Sequence, residues 1–146
     1  MKTSLPRKQK GTAAIEFVAV FVIFFAVFYG MVSYSLPLLL LQSFNQATAE
    51  AVRLSVALDP TMPGYQAAVQ STAKNAITTR LYWIPPAFNF NINQINTTFN
   101  NGLLSVQIND YPTTKLNQVL PFLVLPGIGA VPNLPTTLSA SSSLQF

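Results

Sequence analysis

The sequence predicts an α+β protein: a long N-terminal transmembrane helix that continues into a small domain with a second helix and a three-stranded antiparallel sheet. Three observations predict it. Phe17 to Leu41 is a run of 25 residues without a charge. Beyond Leu41 polar residues enter, yet apolar ones still recur every three or four positions as far as Leu81. From Phe88 onward the apolar period falls to two.

As a helix the uncharged run would be ~37 Å long, enough to cross a hydrocarbon core of ~30 Å with some tilt. Four of the eight cations, Lys2, Arg7, Lys8 and Lys10, precede Gly11. Without residues 1–11, four cations (Arg53, Lys74, Arg80, Lys115) would face four anions (Glu16, Glu50, Asp59, Asp110), and the net charge would fall from +4 to 0. The basic pI therefore belongs to a short leader. The remaining cations form no stripe, so nucleic acid is not expected as a partner. A basic flank ahead of an apolar helix stays cytoplasmic, which sends the chain after Leu41 across the membrane. The expected organisation is a basic leader over 1–11, a transmembrane helix over 12–41 and an exported α+β domain over 42–146.

Pro37 interrupts the membrane helix pattern and predicts a bend near its outer face, since it removes the bond back to Ser33. Past Leu41 the stripe Phe44, Ala47, Ala51, Leu54 and Leu58 continues the helix until Asp59-Pro60 and Pro63-Gly64 stop it. Tyr65, Ala68, Val69, Thr72, Ala76, Ile77 and Leu81 share one face of a second helix, which Pro85-Pro86 ends. Phe88, Phe90, Ile92 and Ile95 alternate with polar residues as a first strand. Asn100-Asn101-Gly102 supplies the turn, and Leu104, Val106 and Ile108 alternate on the return strand. Leu138, Ala140, Ser142, Leu144 and Phe146 mark the last strand. Between them, Tyr111 to Pro135 is too rich in proline for a helix or a central strand. It reads as a loop, either a lid over the domain's own sheet or an exposed subunit contact.

Catalytic chemistry is not expected. Histidine and cysteine are absent, which removes the commonest general base and metal ligand. The acids stand far apart, with no paired-acid or metal-ligand spacing, so neither an active site, a cofactor site nor a metal site is expected. Arg53 lies three residues after Glu50, the spacing of a helical surface pair. Tyr65, Tyr82 and Trp83 read as core or interface anchors, with a carbohydrate-binding or surface-binding patch as the alternative.

The stretch Lys8-Gln9-Lys10-Gly11-Thr12-Ala13-Ala14-Ile15-Glu16-Phe17, followed by the apolar run, resembles the processing site of type IV pilins. More closely, Gly11 to Phe17 is similar to the TadE-like pseudopilins of tight-adherence (Tad, type IVb) pilus systems. The polar helix, the strand running into Tyr111-Pro112, the proline-rich loop and the final Leu138-Ser139-Ala140-Ser141 strand fit that layout. The resemblance implies that a prepilin peptidase cuts after Gly11, leaving Thr12 as the new N-terminus. It also implies that Glu16, with Phe17 beside it, pairs with the new α-amine on the same or a neighbouring subunit. The alternative for Glu16 is a carboxylate in the first helical turn, complementing the helix dipole.

The function expected on this resemblance is that of a minor pseudopilin in the bacterial inner membrane, single-pass, with the N-terminus cytoplasmic. It would prime or cap a Tad pilus for adherence and biofilm formation. Its partners would be the peptidase, other pilin and pseudopilin subunits, the inner-membrane assembly platform and membrane lipid. Two rivals stand beside it. One is an uncleaved single-pass anchor with a periplasmic scaffold or adhesin domain. The other is a secreted protein cut at Ala47-Thr48-Ala49, although the apolar run greatly exceeds an ordinary signal peptide's.

Overall fold

The computed structural model describes residues 9–125, 127 and 129–146, with residues 9 and 10 as backbone only. The leader cations Lys2, Arg7 and Lys8, and the Lys10 side chain, lie outside the described residues. The first element, α1, is one helix of 48 residues, Gln9–Val56. At ~1.5 Å per residue it is about 72 Å long, and it continues unbroken through Pro37.

Two halves of α1 have different surroundings. Every residue from Gly11 to Phe28 is exposed. From Ser33 onward a stripe is buried, comprising Ser33, Pro37, Leu40, Phe44, Ala47, Thr48, Ala51, Val52 and Ser55. The predicted stripe thus holds at Phe44, Ala47 and Ala51. At its end it turns onto Val52 and Ser55, whereas Leu54 is exposed. Ser55 is accommodated there because its hydroxyl donates to the Ala51 carbonyl at 2.7 Å, the usual local outlet for a buried helical serine.

The second helix, α2 (Tyr65–Arg80), buries Val69, Ala73, Ala76 and Ile77. Three strands, β1 (Ile95–Asn100), β2 (Leu103–Pro112) and β5 (Thr137–Gln145), form an antiparallel sheet in the order β1-β2-β5. Both helices lie on one face of it, α1 over β2 and β5, and α2 over β1. The core joins Phe44, Ala47 and Ala51 of α1 to Val69 and Ile77 of α2 and to Leu104, Val106 and Ile108 of β2. Alanines on the helix faces let the backbones approach closely. The other sheet face carries Ser105, Gln107, Ser139, Ser141 and Ser143, so the pleat separates core from solvent as the period of two requires.

The β1–β2 turn is the two-residue loop Asn101-Gly102, with φ of 51° and 76°, the doubly positive geometry that hairpin twist favours. A Cβ on Gly102 would lie 2.6 Å from the Phe146 carbonyl oxygen, so the turn also needs the space. A bulge follows Ile108, with Asp110 at φ 53°. The inserted residue returns Tyr111 to the core face, three positions after Ile108 rather than two. Tyr111 is fully buried and its hydroxyl donates to the Phe88 carbonyl at 2.7 Å.

Two predicted features need correction. The first strand begins at Ile95, not Phe88. Pro86–Phe88 and Ile92–Gln94 are 3-10 turns instead. Proline starts the first, Asn89 ends it in the left-handed region, and the Asn91 side chain caps the second by accepting from the Asn93 N–H at 2.9 Å. Asparagine side chains thus take backbone donors that a strand ladder would use. The proline-rich segment is not an irregular lid on the sheet either. After a 3-10 turn at Thr113–Gln118 it forms a separate antiparallel hairpin, β3 (Leu123–Leu125) and β4 (Gly129–Val131), turned toward α1.

Candidate functional site

The N-terminal half of α1 carries the sequence-predicted site. Gly11 and Thr12 are already helical, and a Cβ on Gly11 would meet nothing within 4 Å. A side chain at position 11 would therefore meet none of the described residues. Glu16 stands one helical turn beyond Thr12, at the i, i+4 spacing that brings side chains to one face. Among the described residues Glu16 makes no ion pair. As described from Gln9, α1 has no acid in its first turn.

Phe17 starts an aromatic ladder. It stacks on Phe21 at 6.1 Å between centroids, and Phe21 stacks on Phe25 at 6.3 Å, while Phe24 and Phe28 form a second step at 6.2 Å. These are i, i+4 contacts on an exposed surface. The segment has the mean hydropathy, 2.5, and the length of a membrane span, and none of its most apolar stretch is buried. A core helix of a soluble domain would bury it.

Further along, the hairpin reaches the same helix. Leu123 and Leu125 face Phe21, Val22, Phe25, Ala26 and Tyr29 across a groove of about 190 Å³. The Tyr29 hydroxyl donates to the Pro121 carbonyl, and the Tyr34 hydroxyl accepts from the Asn133 N–H at 2.9 Å. The two tyrosines thus hold the two ends of the hairpin. Sequence spacing gave no signal for this contact, since it joins residues about a hundred positions apart through backbone groups of an irregular segment.

A second polar cluster sits where α1 meets α2. Glu50 accepts from Arg53 Nε and Nη2, both at 2.7 Å, and from Arg80 Nη2 at 3.3 Å. The predicted i, i+3 pair is present, and Arg80 from α2 turns it into a bridge between helices. The Arg53 hydrogen bonds hold the Glu50 carboxyl down at about 2. Trp83 lines the same surface groove. Trp83 is 46% exposed and Tyr82 89%, so of the core or interface anchors the sequence suggested neither is a core anchor. Tyr65 does pack, edge-on against Phe99 at 5.7 Å. Among the described residues no three metal-ligating side chains gather.

These features define a class first: a protein with one N-terminal candidate membrane span and an α+β domain built onto the far half of the same helix. Residues 11–53 match the model of a family described as TadE-like protein. The match starts at Gly11 and runs to Arg53, covering nearly all of α1 and none of α2 or the sheets. No curated protein and no solved structure gives a significant match. The TadE-like segment points to a pilin-like protein associated with Tad pili, and to partners within that pilus system.

Proposed function

We propose that this chain is a minor pilin-like subunit that primes or caps a Tad pilus, after a prepilin peptidase removes residues 1–11 from its cytoplasmic side. The observation that carries the reading is the exposed apolar half-helix with a single carboxylate, Glu16, one turn from Thr12, within a segment that matches the TadE-like family. Cleavage after Gly11 creates an α-amine on Thr12. A carboxylate near hydrocarbon is costly unless paired, and the new amine of the same or a neighbouring subunit supplies the partner. In low dielectric such a pair is far stronger than at a wet surface, so it sets the register in which apolar helices pack.

The Phe and Val surface serves both environments, because packing between apolar helices does not depend on water. Once such subunits leave the membrane, neighbouring helices replace lipid on the faces of Phe17 to Phe28 that the chain's own domain leaves open. The exported domain then sits at the surface of the assembly, with adherence and biofilm formation as the outcome for the cell.

The test separates processing from assembly. Glu16→Ala should leave the mature size unchanged and abolish piliation in cells where this chain is the sole copy. Gly11→Val should retain the full-length size and also abolish piliation. A Gly11 variant with unchanged size and normal pili would overturn the processing step, and a fully piliated Glu16→Ala strain would overturn the pairing role.

A further inference from the structure

The β3–β4 hairpin occupies a place on α1 that a bilayer would also claim. Leu123 and Leu125 line one groove with Phe21, Phe25 and Tyr29, inside the candidate span. Ahead of the hairpin only residues 11–20 are clear, on the order of 15 Å of helix, about half of a hydrocarbon core. The helix cannot cross a membrane on those residues alone. The hairpin is a sheet of only two strands, so the outward N–H and C=O groups of both strands have no partner strand. Open sheet edges are not stable in hydrocarbon, where no water can satisfy them. The seated hairpin and the spanning helix therefore exclude each other.

The hairpin is nonetheless built for an apolar neighbour. No residue from Leu116 to Phe146 is charged, and Val124 is 78% exposed on the side away from the groove. Its base is fixed, since Phe122 and Leu134 pack on the domain core and Pro132 is fully buried. Among the described residues its arms meet α1 across the groove, and the two tyrosine hydrogen bonds flank them. Such a segment can leave the helix without unfolding the domain.

We propose that the paired strands β3 and β4 are a displaceable cover for the Phe21–Phe25–Tyr29 face of α1. It seats when that face is outside lipid and swings off when the helix spans a bilayer. The cover rests on the membrane-span reading, and its role in the extracted subunit rests on the pilus reading above. It would shield part of the aromatic ladder after the subunit leaves the membrane, and it competes with a neighbouring helix for the same stripe.

Cysteine pairs test this without background, because the chain has no native cysteine. The full-length A26C/L125C chain is treated with a short bismaleimide in three settings: vesicles of phosphatidylethanolamine and phosphatidylglycerol, lipid-free micelles of a mild detergent, and material sheared from cells. The pair A49C/S142C, whose positions line one groove between α1 and β5, reports the folded domain and should link equally everywhere. The cover predicts an A26C/L125C yield lower in vesicles than in micelles by about tenfold or more, a shift of ~1.4 kcal/mol. Sheared material should link as the micelles do. Equal linking in vesicles and micelles, or no linking in either while A49C/S142C links, overturns the proposal. If no chain appears in the sheared material, the pilus reading fails, while the vesicle and micelle arms still decide the cover.

Discussion

The two halves of α1 share one helix and little else. Residues 11–28 present Phe, Val and Ile on every side and are exposed throughout. Residues 33–55 present a narrow stripe in which Leu40 and Phe44 alternate with Ala, Ser and Thr, and that stripe is buried by the chain's own domain. The difference teaches what each half is for. Small residues let α2 and the sheet approach one side of the second half, and polar residues on its other side suit water. The first half has no wet side, so it suits lipid or other apolar helices around its whole circumference.

The sharpest way to break this comparison is to remove the same side chain from each half. Phe44 is fully buried and touches Phe90 and Tyr111, with ring centroids 5.5 and 5.7 Å away. Phe44→Ala should cost about 3–5 kcal/mol in domain stability, through lost burial and a residual cavity. Phe21→Ala should change it by no more than about 0.5 kcal/mol. Denaturant unfolding of the full chain in mild detergent, followed by near-ultraviolet circular dichroism, reads both. Equal effects would erase the division.

A smaller effect tests how the sheet is tied to the turn that replaced the expected strand. Tyr111→Phe leaves the Phe88 carbonyl without its donor and should cost about 1–3 kcal/mol. Burial pushes the Tyr111 hydroxyl up to about 12. A raised folded-state pKa means that the stabilisation is complete below the ordinary tyrosine value near 10 and is lost as pH rises through about 12. The wild-type domain should therefore weaken across that interval, and Tyr111→Phe should lack this part of the decline.

The smallest expected effect concerns the ion cluster. With the Glu50 carboxyl held at about 2 by Arg53 and Arg80, its contribution is present above the ordinary carboxylate value and lost as pH falls from about 4.5 toward 2. Glu50→Gln should remove that acid-side loss while shifting neutral-pH stability only slightly, as exposed pairs do. A midpoint titration between pH 2 and 5 checks it.

Much of this architecture is legible in the sequence, and the failures have physical causes. The uncharged run, the Asn101-Gly102 hairpin and the alternation of Leu104, Val106 and Ile108 are local signals, and the structure keeps them. Phe88 to Ile92 misleads because alternation alone cannot show that Asn89 and Asn91 divert the backbone into turns. The β3–β4 hairpin and its seat on α1 are tertiary, fixed by backbone carbonyls and N–H groups that carry no sequence signature. Arg80 joins Glu50 only because α2 lies against α1. At the site, the order Gly11, Thr12, Glu16, Phe17 is readable as a motif, whereas the tyrosines that hold the hairpin over the same helix are not.

The central claim is that the exposed half of α1 becomes the mature N-terminus of a pilus subunit. The N-terminal residue of the chain recovered from cell membranes, determined by intact mass and terminal sequencing, tests it most directly. The account predicts Thr12. Met1 would mark an uncleaved anchor and Glu50 a secreted form, and either would contradict it.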